Sequence, residues 1–120
     1  LVYFLGGFDI ALQLLLTVIV IDYLSGICRA IYTRKVNSKV GVKGIIKKVG
    51  YLLIVALSVI LDRITSNTGA IRTLVIYFFV ANEGISIVEN ASVLGLPVPQ
   101  KVKDVLEQLK NENNKEKSDE

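Results

Sequence analysis

Ile10-Ala11-Leu12-Gln13-Leu14-Leu15-Leu16-Thr17-Val18-Ile19-Val20-Ile21-Asp22-Tyr23-Leu24-Ser25-Gly26-Ile27-Cys28 is the stretch on which the fold turns. Eleven of these residues are Leu, Ile or Val, and Asp22 is the only charged side chain. A membrane-crossing helix needs about 20 mostly apolar residues. Each Leu, Ile or Val contributes about −0.3 to −0.6 kcal/mol, against about +2.5 to +3.5 kcal/mol for a central Asp, so the segment inserts in spite of its carboxylate. A carboxylate in hydrocarbon still needs a protein partner or a water-filled path.

Two further runs repeat the pattern. Residues 44–61 are bounded by Asp62, and their uncharged core, residues 49–61, reaches spanning length only by including residues 44–48, with Lys47 and Lys48 among them. Those two side chains are expected to snorkel to the headgroups. Residues 71–88 contain Asn82 and Glu83, so their insertion balance is close to zero and neighbouring helices are needed to hold them. The expected fold is all-α: an integral membrane protein with three transmembrane helices, a short C-terminal cytoplasmic amphipathic helix and an oligomeric state. The expected divisions are a transmembrane domain over 1–96, the amphipathic helix over 97–110 and a disordered tail over 111–120.

Composition agrees, with 52% hydrophobic residues and a mean hydropathy of +0.52, too apolar for an ordinary soluble domain of this size. His, Met and Trp are absent and Cys28 is the single cysteine. One chain therefore cannot build a four-ligand Cys/His zinc site, a Cys–His or Ser–His nucleophile pair, or an internal disulfide. Neither an enzyme nor a cofactor is expected, and Cys28 reads as a small packing residue. Because position 1 is not Met, a native N-terminus is expected ahead of Leu1. The first run lacks a charged leader and a small-residue cleavage site, so it does not read as a signal peptide.

Charge sets the direction. Arg29, Arg34, Lys35, Lys39, Lys43, Lys47 and Lys48 lie between the first two spans with no acidic residue among them. Only Arg63 and Arg72, with Asp62, flank the second connection. The positive-inside bias places the first connection and the C-terminus in the cytoplasm and the N-terminus outside. Arg34, Lys35, Lys39, Lys43, Lys47 and Lys48 are thus topology determinants, with anionic lipids as their expected partners rather than nucleic acid. Gly41 and Gly44 are expected to break this connection into a hinge. Ser66-Asn67-Thr68-Gly69 reads as a turn.

Polar residues fall in stripes. Asn82, Ser86 and Glu89 are spaced four and three, and Glu83, Ser86 and Asn90 three and four, which places all five on one helix face. Such a face lines water or grips another polar helix. Asp22, Ser25 and Arg29 form a shorter stripe, with Arg29 expected to reach back and partly neutralise Asp22. Gly26 and Ala30 provide a small-xxx-small strip for close helix approach. Pro97 and Pro99 end the third helix. Val102, Val105, Leu106 and Leu109 then recur at i, i+3, i+4 and i+7.

The series Asp22-Tyr23-Leu24-Ser25-Gly26, Ser38-Lys39-Val40-Gly41-Val42-Lys43-Gly44-Ile45, Leu61-Asp62-Arg63, Asn82-Glu83-Gly84-Ile85-Ser86-Ile87-Val88-Glu89-Asn90 and Leu94-Gly95-Leu96-Pro97-Val98-Pro99 resembles the toxin-secretion and phage-lysis holin family. The resemblance runs from about residue 10 to 110. It implies a bacterial or prophage protein of the cytoplasmic membrane that accumulates, oligomerises and opens lesions, with an endolysin or a large toxin as cargo. The matching residues are Asp22, Gly26, Gly41, Gly44, Asp62, Asn82, Glu83, Glu89 and Asn90. A small ion channel and a non-conducting antiholin or membrane scaffold are the competing readings. Asp22 and Glu83 are expected to be hidden in single chains and to meet water as polar faces assemble.

Overall fold

In the computed structural model the described residues are 3–65 and 68–118, all helical in their regular parts. Helix α1 is Ile10–Tyr32, α2 is Ser38–Thr65, α3 is Ala70–Val93 and α4 is Gln100–Ser118. The first three are each long and apolar enough to cross a membrane. Of the expected turn, Ser66 and Asn67 lie outside the described residues, as do Asp119 and Glu120 of the expected tail.

Local chemistry fixes the ends. Asp9 caps α1 by accepting the Leu12 N–H at 3.0 Å. At the far end Arg34 takes a left-handed φ of 58°, and the Lys35 N–H closes onto the Ala30 carbonyl. The same closure ends α3, where Gly95 has φ 80° and the Leu96 N–H reaches the Ala91 carbonyl; glycine adopts this geometry without strain.

Helix α2 begins earlier than the sequence suggests and runs straight through Gly41 and Gly44. The expected hinge there is absent. Asn37 accepts the Lys39 N–H at 2.9 Å and nucleates the helix, and a cap of about 1 kcal/mol offsets much of one mid-helix glycine. Helix α4 likewise continues to Ser118, where disorder was expected from Asn111. Past Pro99 there is no Pro or Gly to stop it, and Glu, Lys and Gln are good helix formers.

Helices α1 and α3 run parallel, with α2 antiparallel to both, and α3 is the hub. It packs against α1, α2 and α4, while the backbones of α1 and α2 barely approach each other. The core is small: Leu5, Leu12, Leu15, Tyr51, Val55, Ile76 and Phe79. Tyr51 and Phe79 stack with ring centroids 4.1 Å apart. Outward-facing Leu14, Val20, Leu53, Leu57 and Ile60 remain exposed. A chain with this much apolar surface facing outward is built for lipid.

One end of the bundle is closed by Arg72. Its Nε donates to the Leu5 carbonyl at 2.7 Å, and its terminal nitrogens reach the Asp9 carboxylate and the Gly7 carbonyl. Hydrogen bonding from Arg72 holds the Asp9 carboxyl below its ordinary value. Nearby, Asp62 accepts the N–H groups of Ile71 and Arg72, both at 2.9 Å. It therefore caps α3 from the preceding helix.

Candidate functional site

Near the middle of the bundle three charged side chains meet. Lys48 Nζ lies 2.7 Å from Asp22 Oδ2 and 3.0 Å from Glu83 Oε2, with a further contact of 3.2 Å to Glu83 Oε1. Each of α1, α2 and α3 supplies one member. Glu83 is 3% exposed, and two carboxylates share one ammonium. Such a cluster holds together only while every partner is in place, because removing one leaves an uncompensated buried charge.

Asn90 extends the network. Its amide donates to Ser25 Oγ at 2.9 Å and to Asp22 Oδ1 at 3.3 Å, and its oxygen accepts from Arg29 at 3.3 Å. Ser86 stands beside the Asp22 carboxylate. A Cβ added at Gly26 would meet Asn90 Nδ2 at 3.8 Å, an ordinary contact distance. A groove of about 630 Å³ opens between α1 and the start of α2, with Asp22, Lys48, Ser86 and Asn90 in its wall and Gly26 and Gly41 among the small residues that leave it room.

The structure thus joins six expected residues, Asp22, Ser25, Arg29, Glu83, Ser86 and Asn90, in one network. Three differ from the expected arrangement. Asn82 turns to α2 and donates to the Tyr51 hydroxyl at 3.1 Å. Glu89 is exposed, beside Lys103 and Glu107 of α4. Asp62 is spent on the cap of α3. The five-residue face is therefore divided among three neighbours, since α3 is surrounded rather than open on one side.

Two charge assignments also change. Arg29 bonds Asn90, not Asp22, and Lys48 neutralises Asp22 in its place. Lys48 was expected at the headgroups, but it points into the bundle at 14% side-chain exposure, while Lys47 beside it is exposed. Its adjacent helical positions Gly41 and Gly44 share its side of α2. The one available signal was a lone basic residue out of step with Lys39, Lys43 and Lys47, which recur every four residues on another face.

Relatives share most of this chain. An uncharacterised 14.9 kDa protein of the nagH 3′ region in Clostridium perfringens is 44% identical over 107 residues, 88% of this chain and 81% of its own length. An uncharacterised Listeria monocytogenes protein is 38% identical over 87% of this chain and 74% of its own length. YqxH of Bacillus subtilis is 32% identical over 98% of this chain and 83% of its own length. No solved structure matches. The bacteriophage holin family model matches residues 1–111; the chain belongs to that family of non-enzymatic membrane proteins.

Proposed function

We propose that this holin-family chain accumulates in the bacterial cytoplasmic membrane, oligomerises and opens lesions that release an endolysin or a large toxin. The observation that carries the reading is the Asp22–Lys48–Glu83 cluster. Asp22 and Glu83 lie inside helices long and apolar enough to cross a membrane, each about 15 to 20 Å of rise from either helix end. Charge at that depth is expensive and belongs with a water-filled path or a polar partner.

In a single chain Lys48 compensates the carboxylates. At high density, polar groups on neighbouring chains exchange for these internal partners, and a lumen rehydrates the ions. Lys35, Lys39, Lys43 and Lys47 hold the connection between α1 and α2 on the cytoplasmic side, against anionic lipid, with the N-terminus outside.

Inducible expression in bacteria, with membrane potential and a co-expressed cytoplasmic reporter enzyme followed together, tests this. Abrupt depolarisation with reporter release is the expected result. Depolarisation with the reporter retained would replace the lesion with a small channel. Neither event would leave a non-conducting antiholin or scaffold.

A further inference from the structure

Helix α4 is strongly polar, yet it lies along a helix long enough to cross a membrane. Leu106 fills the hollow at Gly84, where an added Cβ would meet Leu106 Cδ2 at 2.6 Å. Gly84 stands nine residues before the end of α3 at Val93, about 13 Å of rise. Lys103 and Glu107 are carried to the level of Val88 and Glu89, and with Arg29 these residues border a cavity of about 470 Å³. Val102 and Val105 face outward at 44% and 45% exposure, while Leu109 is half-buried. Leu106 sits in the glycine hollow beside an open cavity ringed by charges of alternating sign.

What α4 covers is a surface of a particular kind. Within the strip of Gly84, Ile85, Val88, Glu89 and Ser92, Gly84 is covered by Leu106 of α4, and the other four border a cavity with Lys103, Leu106 and Glu107 of α4 and Arg29 of α1. Glu89 suits it poorly to lipid. The bare backbone at Gly84 suits it to another helix at close range. Its charges are self-complementary: a copy turned by half a revolution about an axis along α3 sets Glu89 against the partner's Arg29, and Arg29 against the partner's Glu89, as a two-fold interface requires. Helix α4 offers the same chemistry within one chain, with Lys103 and Glu107 as its basic and acidic groups.

We propose that the α3 face around Gly84 is a self-association surface for the α3 of a second copy, and that α4 occupies it in the single chain. The exchange returns the charges of α4 to water and covers Ile85 and Val88 with protein. It depends on surface density because the seat within the chain competes with a bimolecular contact. The inference rests on the proposed assembly but not on the size of the lesion.

The test uses the full chain in phosphatidylethanolamine–phosphatidylglycerol vesicles, in a Cys28→Ser background with Val93→Cys and Lys103→Cys, two positions that border the cavity without lying in the strip itself. A short bis-maleimide with a reducible spacer ties α4 to α3 before reconstitution. Association is read by lysine cross-linking on a gel, and leakage by dye release. The tied chain is expected to stay single and to release dye at least tenfold more slowly, and reduction of the spacer should restore both. Equal association in the tied and reduced states overturns the proposal, and so does a reduced chain that never associates. Association on reduction without leakage keeps this surface and removes the lesion reading instead.

A second measurement leaves α4 untouched. Chains carrying Arg29→Glu and chains carrying Glu89→Arg should each remain single but associate when mixed, since the mixture restores both charge pairs. Association of each variant alone, at the level of the parent, overturns the two-fold pairing.

Discussion

Arg72 holds Asp9 with two nitrogens, Nη1 to Oδ2 at 2.8 Å and Nη2 to Oδ1 at 3.1 Å, and so ties the start of α3 to the start of α1. The same carboxylate caps α1 through the Leu12 N–H. One ion pair therefore sets the relative height of two parallel helices. The folded-state pKa of Asp9 lies below its ordinary 3.8, so the stabilisation is present above that value and is lost as pH falls through the depressed one. Asp9 is half exposed, which limits the gain to about 1 kcal/mol or less. In detergent, the melting difference between the parent and Asp9→Asn should be constant from pH 7 to 5 and should shrink below pH 4. A difference that grows on acidification would contradict the pairing.

Gly6 sits against the same guanidinium, at φ 86°, where a Cβ would fall 2.5 Å from Arg72 Nε. Gly7 has φ 102° and nothing within 4 Å. Gly6→Ala should therefore destabilise by about 2 to 3 kcal/mol, combining backbone strain with a displaced Arg72. Gly7→Ala should lose only about 1 to 2 kcal/mol from the backbone. Thermal unfolding of the two variants side by side checks the order.

Lys48→Met removes the one cation that, among the described residues, touches both buried carboxylates, and should destabilise by about 3 to 5 kcal/mol. Adding Asp22→Asn and Glu83→Gln to it should recover most of that loss, since amides need no counter-charge. Protease resistance in detergent reports both steps. A triple variant as unstable as Lys48→Met would show that packing, not charge, is at stake.

Asp62→Ala leaves two N–H groups at the start of α3 without an acceptor and should destabilise by about 1 to 2 kcal/mol. Because both carboxylate oxygens are already used within the chain, cross-linking between chains should be unaffected at equal folded concentration. A loss of association without a loss of stability would return Asp62 to the interface between copies.

The three long helices were legible because hydropathy over some 20 residues is a local property. So were Asp22, Glu83 and Asn90 as members of polar stripes. Their partners were not legible. Whether Lys48 turns inward depends on the register of α2 against α3, which no single helix specifies, and the headgroup reading of Lys48 was the local optimum. The hollow at Gly84 was invisible for the same reason, since it takes its meaning from Leu106 on a helix that doubles back. Asn82 and Glu89 were grouped with Glu83 by angle alone, and angle does not reveal that α3 has a different neighbour on each side.

The position of α3 as hub has a consequence for biogenesis. The backbones of the first two spans come close at few points, although Lys48 and Asp22 pair across them, so the surface of each is completed only when α3 is added. At roughly 5 to 20 residues per second, several seconds separate the last residue of α1, Tyr32, from the last of α3, Val93. Through that interval Asp22 has at best Lys48 to answer it, and Tyr51 lacks the ring on which it stacks. Until the final span arrives the newborn hairpin therefore lacks Asn90 beside Asp22 and Phe79 beneath Tyr51, so the polar network and the aromatic core are both completed by the last helix to be made.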